Sequence, residues 1–93
     1  MIKIISNDII QDGEKIGWIR ENDIFNESGR KIGYFKINDI YNKEGRKIGY
    51  IEGDYIKYQN GTRSINVSEN KIHISGGVYS DVCRAAIRLL FGD

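Results

Sequence analysis

Along most of the chain, apolar and polar residues alternate with a period of two, in runs of about five residues. Three of these runs are near-copies: Lys15-Ile16-Gly17-Trp18, Lys31-Ile32-Gly33-Tyr34 and Lys47-Ile48-Gly49-Tyr50 follow one another at a spacing of 16 residues. A fixed period of this kind decides architecture before any local propensity does. Alternation carried by Ile, Tyr, Phe and Trp predicts strands, and the short gaps between runs predict an antiparallel meander rather than βαβ units.

Counted from its turn glycine, the repeat occupies 13–28, 29–44 and 45–60, with a degenerate fourth copy over 61–76. The fourth copy keeps Arg63, Val67 and Ile72 at the positions of Lys47, Ile51 and Ile56. Two turn signals punctuate each copy. One ends in Gly29, Gly45 or Gly61, with Gly13 as the first of the series, and glycine there supplies a positive φ without steric cost. The other is Glu21-Asn22-Asp23, Ile37-Asn38-Asp39, Gly53-Asp54 and Glu69-Asn70. The N-terminus reads as half a repeat, since Ser6-Asn7-Asp8-Ile9 matches Glu21-Asn22-Asp23-Ile24. The strand expected at 1–5 therefore pairs with one expected at 71–74, closing a ring and removing the open sheet edge. The apolar pairs 9/19, 24/35, 40/51, 56/67 and 72/4 then count five hairpins.

After Ile74 the pattern changes. Ser75-Gly76-Gly77 breaks the strand, Ser80 or Asp81 caps a helix over about 81–91, and Gly92 ends it. Only Arg84 and Arg88 are polar between Val82 and Phe91, so the helix is buried nearly all round. The favoured burial is across one mouth of the β-ring, and the alternative is against a second copy of the protein. The expected fold class is all-β: about five pseudosymmetric antiparallel hairpins, a ring closed by both termini, and one C-terminal α-helix, in a single domain over 1–93.

The repeated Gly-Arg-Lys-Ile-Gly-Tyr…Asp-Ile-Tyr-Asn pattern, followed by Ala85-Ala86-Ile87-Arg88-Leu89-Leu90-Phe91, resembles the bacterial β-flower repeat proteins of the four-fold and five-fold groups. The resemblance covers residues 7–60 well, the fourth copy poorly and the tail loosely. It implies short hairpins set as petals around a pseudo-rotation axis. It carries over no reaction, ligand or functional residue, because fold analogy alone does not give function. In the fourth copy Ser64-Ile65-Asn66 replaces Ile-Gly-Tyr, a departure that marks a specialised petal.

Composition narrows the function classes. A net charge of +1 offers no bulk attraction to long nucleic acid or acidic membrane. No run approaches the roughly 20 apolar residues of a membrane helix, and the apolar start is too short for a signal peptide. The single cysteine, Cys83, excludes an internal disulfide framework and fits the cytoplasm. Heavy use of Ile, Asn, Lys and Tyr fits an AT-rich genome, bacterial or phage. One His and one Cys cannot build a zinc site, and no cofactor motif occurs. His73 replaces Phe25, Tyr41 and Lys57 of the other copies and reads as a drifted surface position. Cys83 reads as a buried structural residue. Asp8, Asp23 and Asp39 recur beside an Asn in a turn, which Asx-turn chemistry explains without a catalytic role. An enzyme is not expected.

Two repeated rows remain. Lys15, Lys31, Lys47 and Arg63 share one register position and, in a ring, hold an anion such as phosphate. Trp18, Tyr34 and Tyr50 form an aromatic row, with Asn66 in the fourth copy, on the face opposite Gly17, Gly33 and Gly49. Flat amphipathic rings suit stacking on bases or sugars. The first expectation is thus a non-catalytic binding protein for a small anionic or nucleotide-like ligand, captured between petals or at the ring mouth. The second is a structural or protein-interaction module, a homo-oligomer built through its petals or its helix. The plain alternative for both rows is aromatics packed petal to petal and lysines facing solvent.

Overall fold

The computed structural model describes residues 1–61 and 63–92; Thr62 of the fourth copy and Asp93 lie outside the described residues. Ten strands form one sheet: β1 (Ile2–Ile5), β2 (Asp8–Gln11), β3 (Glu14–Arg20), β4 (Asp23–Asn26), β5 (Lys31–Lys36), β6 (Asp39–Asn42), β7 (Lys47–Glu52), β8 (Tyr55–Tyr58), β9 (Ser64–Asn66) and β10 (Ile74–Ser75). Two helices complete it, α1 (Val67–His73) and α2 (Asp81–Phe91). The strands run as an antiparallel meander from β1 to β9, with β10 added beside β1.

Four two-residue turns build the hairpins β1–β2, β3–β4, β5–β6 and β7–β8. Their first residues, Ser6, Glu21, Ile37 and Gly53, have φ between 55° and 61°. A positive φ confined to the first central residue is the type II′ pattern, which matches the right-handed twist of the flanking strands. Across these turns the core pairs are Ile4↔Ile9, Ile19↔Ile24, Phe35↔Ile40 and Ile51↔Ile56. Ile9, Ile24, Ile40 and Ile56 are fully buried, one per hairpin.

The ring expected from both termini does not close. The sheet is open, ending at β10 on one side and β9 on the other. Strand β1 does meet the segment at Ile74, but the contact is parallel and covers only Ile2↔Ile74 and Lys3↔Ser75. The fifth pair, 72/4, does not form, and the turn expected at Glu69-Asn70 is replaced by α1, a second helix that the repeat pattern did not anticipate. Asn66 caps it: its Oδ1 accepts from the Ser68 N–H at 2.9 Å and the Ser68 hydroxyl at 2.6 Å. Glu69 in the first turn and Lys71 and His73 in the last suit the helix dipole. Ile72, expected in a core pair, is consequently 64% exposed.

The C-terminal helix α2 forms where expected, with Ser80 Oγ accepting from the Cys83 N–H at 3.2 Å. It packs on β5, β6, β7, β10 and α1 of this same chain, so its apolar face is buried internally. The fit depends on three glycines. A Cβ on Gly33 would lie 2.6 Å from Leu90 Cδ1, and one on Gly17 would lie 2.8 Å from Phe91 Cζ. A Cβ on Gly49 would collide with Leu89 in the same way. Three successive residues of the last helical turn thus fill three sockets that glycine leaves in three successive repeats. Glycine inside a strand commonly marks such a close approach.

Arg84, one of the two polar residues between Val82 and Phe91, is buried. Its guanidinium donates to the carbonyls of Ile74 and Gly76, each at 2.6 Å, and so ties α2 to β10 and the loop after it. Arg88 reaches the buried Asn70 Oδ1 of α1 at 3.2 Å.

Candidate functional site

The outer face of the sheet carries the lysine and aromatic rows, and a bulge puts them there together. Residues three apart on a regular strand point to opposite faces. The register slips between Ile9 and Ile10, between Ile24 and Phe25, and between Ile40 and Tyr41. Each slip adds one residue to the facing strand, so that Lys15 and Trp18, Lys31 and Tyr34, or Lys47 and Tyr50 meet on one face. Bulges commonly re-aim a side chain in this way.

Each lysine then has two partners. Lys15 Nζ is 3.0 Å from Asp8 and 5.1 Å from the Trp18 ring centroid. Lys31 is 3.0 Å from Asp23 and 4.7 Å from the Tyr34 ring. Lys47 is 3.1 Å from Asp39 and 4.7 Å from the Tyr50 ring. The recurring aspartates are therefore ion-pair partners, not the Asx-turn residues expected. That role belongs to Asn26 and Asn42, whose Oδ1 atoms accept from the N–H groups of Ser28 and Arg30, and of Glu44 and Arg46, at 3.0–3.1 Å.

The aromatics are shared across strands. Trp18 stacks on Phe25 with centroids 5.6 Å apart, and Tyr34 on Tyr41 at 4.8 Å. In these two repeats lysine, aspartate and both rings satisfy one another. The pattern then breaks. Opposite Tyr50 stands Lys57, and among the described residues no ring stacks on Tyr50. Lys57 Nζ is held by Glu52 at 2.6 Å, which raises the Lys57 pKa and lowers that of Glu52, first through the hydrogen bond and then through charge. The next repeat has Tyr55 where Asp8, Asp23 and Asp39 stand, and Asn66 where the aromatic stood. No register slip separates β8 from β9, where Ile56↔Ile65 and Lys57↔Ser64 pair directly. Arg63 precedes β9 and lies over the ring of Tyr58, 5.3 Å from its centroid, not beside an aromatic of its own row.

A cleft of about 450 Å³ opens at this break, lined by Tyr50, Lys57, Tyr58, Gly61, Arg63 and Ser64. It brings together two members of the expected rows, Tyr50 and Arg63, with Lys57 and Tyr58, which the sequence reading did not single out. Both were legible as departures from Tyr41 and Asn42 in the aligned repeat. A second cleft of about 380 Å³ beside Lys15 and Trp18 includes the Asp8 carboxylate, and its aromatic ring is already stacked on Phe25.

His73 is exposed at the end of α1. Cys83 is fully buried, and burial pushes its thiol from the ordinary 9.0 up to about 12. Among the described residues no group of three or more His, Cys, Asp or Glu is placed to hold a metal ion. Nor is any described helix long and apolar enough to cross a membrane. No protein-family profile, curated protein or solved structure matches the chain.

Proposed function

We propose that the chain is a β-flower-like, non-catalytic binding module that takes a planar anionic ligand of nucleotide type in the cleft between Tyr50 and Tyr58. The observation that carries this reading is the interrupted stack. Phe25 and Tyr41 cover Trp18 and Tyr34, while the corresponding position beside Tyr50 belongs to an aliphatic cation. An aromatic ring entering there restores the missing partner, and base-on-aromatic stacking contributes about 1–3 kcal/mol per base. Arg63 and Lys57 line the same cleft and supply charge for a phosphate, for which Lys57 would have to give up its pairing with Glu52 at 2.6 Å. Lys15, Lys31 and Lys47 of the cation row are engaged by Asp8, Asp23 and Asp39.

The interaction-module reading would draw on exposed apolar residues such as Ile37, Ile72 and Val78 more than on Leu89, Leu90 and Phe91, which are seated in the glycine sockets. Calorimetric titration with adenosine 5′-monophosphate separates the two readings. Saturable binding that weakens about tenfold in Tyr50→Leu supports the ligand reading. Absence of binding, or binding indifferent to Tyr50→Leu in a variant that keeps the native circular dichroism, overturns it.

A further inference from the structure

Next to the Tyr50 cleft lies another, of about 460 Å³, lined by Arg46, Lys47, Ile48, Gln59 and Asn60. The two clefts share a wall, because Lys47 Nζ in one sits 4.7 Å from the ring of Tyr50 in the other. Neither lining includes a carboxylate. We infer that the ligand carries two anionic groups on opposite sides of its ring-bearing sugar, the second one held by Arg46, as in a nucleoside 3′,5′-bisphosphate. This inference rests on the nucleotide reading of the first cleft.

The aligned turns support it. The turn at 26–29 contains Glu27 and the turn at 42–45 contains Glu44, whereas the turn at 58–61 has Gln59 and Asn60 and no acid. Loss of the carboxylate at the one turn that faces Arg46 removes a repulsion any phosphate would meet there. Lys47 is occupied by Asp39 at 3.1 Å, but Arg46 forms no ion pair among the described residues. Its backbone is fixed on both sides: the Arg46 N–H donates to Asn42 Oδ1 at 3.0 Å, and the Arg46 carbonyl accepts from the Asn42 N–H at 2.9 Å. The facing turn is tied down by the Gln59 N–H, which donates to the Ile48 carbonyl at 3.0 Å. An exposed guanidinium on a rigid turn, opposite two neutral amides, suits a bidentate phosphate contact. The wall between the clefts separates the two sets of cations. Consecutive phosphates would leave the ring on the same side and engage only one set.

The test is calorimetry with three probes: adenosine 5′-monophosphate, adenosine 5′-diphosphate and adenosine 3′,5′-bisphosphate. The bisphosphate is expected to bind about tenfold more tightly than the monophosphate, with the diphosphate gaining less. Arg46→Ala should erase the bisphosphate gain and leave monophosphate affinity unchanged. Gln59→Glu, which restores an acid to this turn, should erase it as well, while Arg30→Ala in the preceding repeat should change nothing. Equal affinity for monophosphate and bisphosphate overturns the inference and leaves the nucleotide reading standing. So does a diphosphate that matches the bisphosphate, or an Arg46→Ala variant that weakens all three probes alike. Failure of all three to bind overturns both readings.

Discussion

The two faces of the same strands repeat with the same period but do different work. On the inner face the repeating residues are Gly17, Gly33 and Gly49 and the buried isoleucines, and their contacts are with α2 and with backbone. On the outer face they are lysine, aspartate and aromatic rings, partly exposed and in contact mainly with one another. Inner contacts are decided by sterics, which tolerate almost no change in volume. Outer contacts are screened by water and salt and are individually weak. Periodicity on the inner face therefore specifies the fold, and the outer face is free to depart from it. That departure at Lys57, Tyr58 and Tyr55 is where the candidate cleft opens.

The sharpest way to break this contrast is to fill a socket. In Gly33→Val the new Cβ would lie 2.5 Å from the Tyr41 carbonyl and 2.6 Å from Leu90 Cδ1, so both sheet and helix must shift. Overpacking of this kind costs about 3 kcal/mol, and chemical denaturation should show a loss of that size. Gly33→Val combined with Leu90→Ala should recover only part of it, because the carbonyl contact remains. A loss below about 1 kcal/mol would mean that α2 sits loosely on the sheet and that the strand glycines are not needed to seat it.

The second effect tests burial beneath α2 through pH. The unfolded Cys83 thiol loses its proton near 9.0 and the folded one near about 12. Between those values the unfolded state binds fewer protons, so native stability falls as pH rises, by about 1.4 kcal/mol per pH unit. The contribution is intact below pH 9. Urea midpoints at pH 8 and pH 10 should therefore converge in Cys83→Ala relative to the parent chain. Identical pH profiles for the two proteins would place the thiol in contact with water.

Much of the inner face was legible in the sequence. The spacing of 16 residues located four hairpin tips, the glycine turns and the strand that meets Ile74, and the apolar run located α2. What it hid was α1, because Glu69-Asn70 matched the hairpin register while Asn66-Val67-Ser68-Glu69 also carried a helix start. Only the two-residue β10 follows, and over 67–73 the local cap prevailed over the repeat. The ring closure failed for the same reason. The ion pairs of Asp8, Asp23 and Asp39 were hidden because a bulge adds one residue to the count, and alternation alone puts lysine and aromatic on different faces. The candidate cleft was legible only as a departure from the repeat, since its residues are defined by what they replace.

A third prediction concerns the tips, which join the two faces. Ile37 is a β-branched residue at φ 59°, in a position that Gly53 occupies two strands later. Such a conformation is strained by about 2 kcal/mol, and glycine returns about half of that in chain entropy. Ile37→Gly should thus stabilise the protein by about 1 kcal/mol, raising the denaturation midpoint. Destabilisation instead would show that the exposed side chain packs on something in solution, which would favour the interaction-module reading.

The smallest effect belongs to the outer face and is the most informative about it. Lys31 is 44% exposed, Asp23 is 38% exposed, and their atoms are 3.0 Å apart beside the Tyr34 ring. A half-exposed pair of this kind contributes less than about 1 kcal/mol, with a few tenths more from the ring. Lys31→Met keeps the aliphatic stem over Tyr34 and removes only the charge, so it should cost less than Lys31→Ala. Both losses should shrink as salt rises from low ionic strength to about 1 M, where charges more than about 3 Å apart are screened. A salt-independent loss comparable to that of Gly33→Val would erase the distinction between the faces. The lysine row would then hold the fold together, and its departure at Lys57 would be a structural event before it was a functional one.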